Sequence, residues 1–140
     1  MIKNDKQYKI TKKLLKELEL RLQPYLSKAT LGKDEMIVSS LLRQKNQFVS
    51  EIKAYEKLKN KSLSIFKVRT LDLLPNILIE YKISKGLSQK EFAKILGIKE
   101  QQLQRYESED FRSVSFNKLL TFLTLAGLRV EVKGNKEKKV

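Results

Sequence analysis

Around residue 100 the chain carries side chains suited to reading the edge of a nucleic-acid base: Glu100, Gln101, Gln102, Gln104 and Arg105. A helix from about Lys99 to Ser108 with Leu103 and Tyr106 turned inward puts Gln101, Gln104, Arg105 and Ser108 on its opposite side. They keep an i, i+3, i+4, i+7 relation and form one stripe. A glutamine amide can donate to and accept from adenine N6 and N7 at once, and an arginine can donate twice to guanine O6 and N7. Glu100, near the helix start, suits cytosine N4 as an acceptor, or simply the positive end of the helix dipole. Gln102 lies at the flank, within reach of base or backbone. The competing account is an ordinary solvated helix face, for which Gln and Arg are common choices.

The segment that must position this stripe is LSQKEFAKILGIKEQQLQRYE, Leu87 to Glu107. It has the pattern of a short helix, a tight turn at Gly97 and a second helix, a helix-turn-helix. Ser88 caps the first helix, with Glu91 three residues on as in a capping box. Ala93 is small where two helices cross, and Gly97 supplies a positive φ cheaply. Phe92, Leu96, Ile98, Leu103 and Tyr106 are the expected clamp onto a core. Phosphate contacts are expected at the edges, from Ser88, Gln89, Lys90, Lys99, Gln102 and Ser108. The first-turn N–H groups beside Gln89 are unpaired and attract an anion. Such contacts set register and carry little sequence information; for Lys90, plain surface solubility is an equal alternative.

Composition bounds the chemistry. The chain has neither cysteine nor histidine, which removes disulfides, thiolate metal sites and the commonest general base and zinc ligand. No catalytic residue, metal site or cofactor is expected, and an enzyme is not the expectation. The start, MIKNDKQYKITKK, lacks the apolar run of a signal peptide, and no segment is apolar enough to span a membrane. A cytoplasmic protein is expected. A formal charge of +14 attracts polyanions. Because lysines spread from Lys3 to Lys139, charge alone fits an acidic partner or a membrane surface as well as nucleic acid.

The rest of the chain divides near residue 62. Thr11 to Gln23 repeats leucine at 14, 15, 18 and 22 with helical spacing, with Thr11 as a cap and Pro24 as an interruption. A longer helix from Asp34 to about Lys59 carries Ile37, Leu41, Phe48, Ile52, Tyr55 and Leu58 near a heptad spacing. Together they predict an antiparallel hairpin over residues 1–62, either a partner-binding or dimer-forming arm or an accessory hairpin packed within the chain. Residues 63–133 form the second unit. Leu63 to Val68 is a strand or a linker. Thr70 to Lys85 is a helix with Leu74, Ile77, Leu78 and Tyr81 on one stripe, its start set by Pro75. Ser115 to Ala126 is another, with Phe116, Leu119, Leu120 and Leu123 inward. After Gly127, the alternation LRVEVK over Leu128 to Lys133 predicts a β-strand. Residues 134–140 are a basic tail, expected to be disordered.

From Asp72 to Leu125 the chain resembles the XRE family, the Cro and phage-repressor type of helix-turn-helix. The residues that carry this are LIEYKISKGLSQKEFAKILGIKEQQLQRYE and SFNKLLTFLTLAG. The resemblance implies a mainly α fold, a lambda-repressor-like bundle of about five helices, here with the N-terminal helical hairpin and a short C-terminal β-strand. It implies Gln89 as a phosphate-clamping glutamine and Glu100, Gln101, Gln104 and Arg105 as groove-facing residues. The chain departs from the family at Lys99, where Ser or Thr often caps the recognition helix; lysine cannot accept that bond. The glycine-then-strand ending is similar to antitoxins of the HipB and HigA types. It implies a homodimer with Leu128, Val130 and Val132 at the twofold, unless the strand pairs with Leu63 to Val68.

These features predict a dimeric repressor that binds double-stranded DNA at a palindromic operator. The alternative is an antitoxin that neutralises a toxin protein through its hairpin and autoregulates its operon. An RNA-binding or nucleic-acid-modifying role fits less well, because RNA recognition favours aromatic stacking platforms, and the aromatic residues here occupy core-like positions.

Overall fold

A computed structural model of the chain describes residues 1–27, 35–60 and 65–134. The described residues form helices α1 (Asp5–Ser27), α2 (Glu35–Asn60), α3 (Asn76–Ser84), α4 (Gln89–Leu96), α5 (Glu100–Ser108) and α6 (Phe116–Leu125), with a 3-10 turn at Leu71–Leu73 before α3.

Helices α1 and α2 run antiparallel. Tyr8 stacks on Tyr55 at 4.9 Å between ring centroids, Asp5 accepts from Lys59, and further along Glu19 faces Lys45. Bonds from Lys59 and Tyr55 hold the Asp5 carboxyl below its ordinary pKa. Burial, with the Asp5 contact, pushes the Tyr55 phenol up.

Helix α1 begins earlier than the leucine spacing suggests, because Asn4 rather than Thr11 caps it. Asn4 Oδ1 accepts from the Gln7 N–H at 2.9 Å. Thr11 is buried in the second turn, its hydroxyl donating to the Gln7 carbonyl at 2.8 Å. The helix also passes through Pro24. Near the C-terminal end the missing N–H leaves only one carbonyl without its helical donor. Leu22 and Tyr25 on either side keep their packing against Leu41. The rest of the expected interruption, residues 28–34, lies outside the described residues.

The foot of the hairpin shares the core of the C-terminal bundle. Ile2, Ile52 and Tyr55 pack in one cluster with Leu78, Phe92, Leu103 and Phe122. The far half of the hairpin has its own small cluster of Leu18, Leu22 and Leu41. Helix α3 is buried on nearly all sides: Ile79 and Ile83 join the expected Ile77 and Leu78 inside. Leu74 is buried just ahead of the helix and Tyr81 is half-buried. Helix α6 buries Leu119, Phe122 and Leu123, whereas Phe116 and Leu120, expected inward, are exposed. Phe111 from the preceding turn takes the inner position, packed on Phe122.

The expected fold is corrected at the C-terminus: no β-strand forms among the described residues. Residues 128–134, and 65–68 of the alternative strand, have no regular structure. The local backbone explains why Leu128 is not free to start a strand. Gly127, at φ +78°, donates to the Thr124 carbonyl, and Leu128 donates to the Leu123 carbonyl, both at 2.9 Å. That is a Schellman motif, and its hydrophobic contact draws Leu128 against the core. Val130 and Val132 beyond it are exposed. Alternation marks a strand only where a neighbouring edge takes the backbone hydrogen bonds. The tail from residue 135 lies outside the described residues.

Gly97 closes α4 by the same motif, at φ +70°, with Ile98 donating to the Ala93 carbonyl at 3.0 Å. A Cβ placed there meets nothing within 4 Å. The cost of Gly97→Ala is therefore that of left-handed backbone alone, about 1–2 kcal/mol. Urea unfolding is expected to show this as a lower midpoint at unchanged slope.

Candidate nucleic-acid interface

Ser88 stands before α4 in extended backbone, and its Oγ accepts from the Glu91 N–H at 3.1 Å. This cap satisfies the Glu91 N–H and leaves the Gln89 and Lys90 amides without helical acceptors. Gln89 is half-buried, and its Nε2 donates to Glu107 Oε2 at 3.4 Å, a long bond that aims the side chain from behind. Lys90 is exposed.

After the Gly97 turn, Lys99 occupies the cap position of α5 in extended backbone and makes no side-chain cap bond. An ammonium has no acceptor to offer the helix, and Lys99 is exposed. Along α5, Leu103 is fully buried and Tyr106 half-buried, as the sequence spacing requires. Glu100, Gln101, Gln104 and Arg105 are exposed. The structure thus leaves these four on the outward surface of α5, and Glu100 lines one groove with Gln89.

Two expected contact residues spend their polar groups within the protein. Gln102 is half-buried and donates through Nε2 to the Tyr106 hydroxyl at 2.8 Å. Lys118 of α6 donates to the same hydroxyl at 3.2 Å and lies over the Tyr106 ring. Ser108 donates to the Arg105 carbonyl at 2.7 Å. The Gln102 bond lies within α5 and orients the Tyr106 hydroxyl, while Lys118 ties that hydroxyl to α6.

The buried ion pair that joins α5 to α3 was not visible in the sequence. Lys82 of α3 and Glu107 of α5 are both almost wholly buried and form a two-pronged ion pair at 2.9 and 2.7 Å. Burial pulls the Lys82 ammonium below its ordinary pKa, and the Glu107 charge opposes that pull. Next to them, Lys3 Nζ donates to the Glu107 carbonyl at 2.5 Å and pairs with Asp110 at 2.7 Å. A cation at that end of α5 complements the helix dipole.

The chain then turns through two left-handed residues, Asp110 at φ +54° and Phe111 at φ +59°. Aspartate tolerates this conformation better than most residues. Phe111 is held there by burial and by a 2.7 Å bond from its N–H to the Tyr106 carbonyl. No glycine marks this turn, and the only sequence signal for it is the weak one of Asp110.

No helix among the described residues is long and apolar enough to cross a membrane. Neither a curated protein nor a solved structure matches the chain. A family model described as a helix-turn-helix domain matches residues 64–134. That match takes in the capped α4, the Gly97 turn, the exposed stripe of α5 and the supporting α3 and α6, and covers half of the chain. The chain belongs to this helix-turn-helix family of DNA-binding domains.

Proposed function

We propose that the protein is a transcriptional repressor of the XRE type, which binds a palindromic operator as a homodimer and blocks a promoter by occupancy. One observation carries this reading. The polar stripe of α5 stands exposed while Leu103 and Tyr106 anchor its other side. Glu100, Gln101, Gln104 and Arg105 read base edges in the major groove. Ser88, Gln89, Lys90 and Lys99 meet backbone phosphates, and the first-turn α4 amides add to them. Gln102 acts as a positioning residue through Tyr106. The exposed Val130 and Val132 supply dimer contacts. Residues 1–62 form an accessory unit fastened to the DNA-binding unit by its foot.

Selection from a pool of random duplexes tests this. The expected result is an enriched inverted repeat, with half-site centres roughly 34 Å apart, about one turn of DNA. A pool that stays random after repeated rounds at moderate salt overturns sequence-specific repression.

A second reading, an antitoxin with a protein partner, is favoured by the far end of the hairpin. Leu20, Leu26, Met36 and Ile37 are each exposed there, more large apolar surface than a solvated helix end needs. Co-purification of the full chain with the product of an adjacent reading frame tests it, and loss of the complex on Leu20→Ser with Ile37→Ser is the expected result.

A further inference from the structure

Outside the matched domain, α1 carries lysines at positions 6, 9, 13 and 16. Steps of three, four and three residues place them on one ridge of the helix. The ridge spans about 15 Å at the helical rise. All four side chains are exposed, and none enters an ion pair among the described residues. The opposite side of α1, with Thr11, Leu18 and Leu22 buried, packs inside the hairpin. The ridge therefore points away from α2.

The ridge starts beside the helix-turn-helix. Lys6 lines a groove of about 340 Å³ together with Lys59, Gln89, Lys90 and Glu100. Its position relative to α4 is held from several sides. Ile2 is buried in the common core, Lys3 is tied to the end of α5, and Asp5 accepts from Tyr55 and Lys59. A cationic ridge held in place next to a DNA-binding face meets a polyanion with its backbone already ordered, so only the lysine side chains are fixed on binding.

We propose that the lysine ridge of α1 is a second DNA-contacting surface, which grips backbone phosphates of the duplex flanking the operator and continues the path begun by Gln89 and Lys90. This rests on α4 and α5 being the face that enters the duplex. The occupant is DNA because the ridge is continuous with that face and matches it in charge. Its contacts carry no sequence information and act through counterion release. Four phosphate contacts steepen the dependence of log K on log salt by about 3–4.

The test uses the full chain with Lys6→Gln, Lys9→Gln, Lys13→Gln and Lys16→Gln combined, which keeps helix propensity. A second variant changes Arg43, Lys53, Lys57 and Lys133 to Gln; these are exposed, lie off the ridge and off α4 and α5, and give the same change in net charge. Anisotropy titrations over a range of salt use mixed-sequence duplexes of about 40 bp and about 15 bp, the shorter covering little beyond one half-site. The ridge variant is expected to bind the long duplex at least tenfold more weakly at low salt, with its slope reduced by about 3, and to match the wild type on the short one. Equal slopes for ridge variant and wild type on the long duplex overturn the proposal while the DNA-binding reading stands. So does an equal loss in the control variant, or an equal loss on both lengths. A wild type that binds neither duplex overturns the DNA-binding reading itself.

Discussion

Replacing Glu107 by alanine is expected to destabilise the protein by about 3–5 kcal/mol, because it strands the Lys82 ammonium in the core. Lys82 keeps only 2% of its surface accessible, and the carboxylate meets it at 2.9 and 2.7 Å. Without that partner the amine must shed its proton or the core must open. The sign of the pH dependence follows. The folded variant holds Lys82 neutral while the unfolded chain binds the proton up to the ordinary lysine range near 10.4. The unfolded state then carries more protons, so stability rises with pH from neutrality toward that range. Urea unfolding of the variant at pH 7 and pH 9 measures it; equal midpoints would show that the ammonium finds another partner. The double change Lys82→Met with Glu107→Leu is expected to recover most of the loss, since apolar side chains of similar volume replace a buried pair at little net cost. The recovered protein should bind DNA more weakly than the wild type, because Gln89 loses the carboxylate that aims it.

The combined change Gln104→Ala and Arg105→Ala is expected to remove much of the sequence discrimination while leaving the fold intact. Each bidentate base contact is worth about 1–3 kcal/mol, so the pair removes roughly 2–6 kcal/mol of preference for the operator over random duplex. Both side chains are exposed, so neither supports the core. Binding to random DNA should change far less, because phosphate contacts carry most of it. Competition between operator and random duplex at a single salt concentration measures the ratio. A variant that keeps the wild-type ratio removes Gln104 and Arg105 from the reading set and moves specificity elsewhere on α5.

Helix α5 and the turn before it were legible from the sequence because every signal for them is local. Ser88 caps α4 through a bond spanning three residues. Gly97 adopts a backbone angle that other residues resist. Leu103 faces inward by helical period alone. The same local logic failed where two local signals competed. Thr11 has the chemistry of a cap, but Asn4 comes first and closes the helix there, so Thr11 ends up inside. LRVEVK has the alternation of a strand, but the turn at Gly127 draws Leu128 onto the core, and no neighbouring strand is present among the described residues to accept the rest.

By itself the sequence determined the elements: where α4 and α5 start and stop, which side of α5 is apolar, and that no histidine or cysteine chemistry is available. Periodicity, caps and turn residues act over one to four positions, and that range is enough to build a helix and orient its faces. Only the tertiary structure decided what holds α5 against α3 and what ties the foot of the hairpin to the C-terminal end of α5. Lys82 meets Glu107 across 25 positions, and Lys3 reaches the Glu107 carbonyl across 104. An ion pair of that reach leaves no periodic trace, since pattern alone does not single out a pair among 30 lysines and arginines and 16 carboxylates. Burial singles out these two, because a charge removed from water must find an opposite charge at the same place in the core.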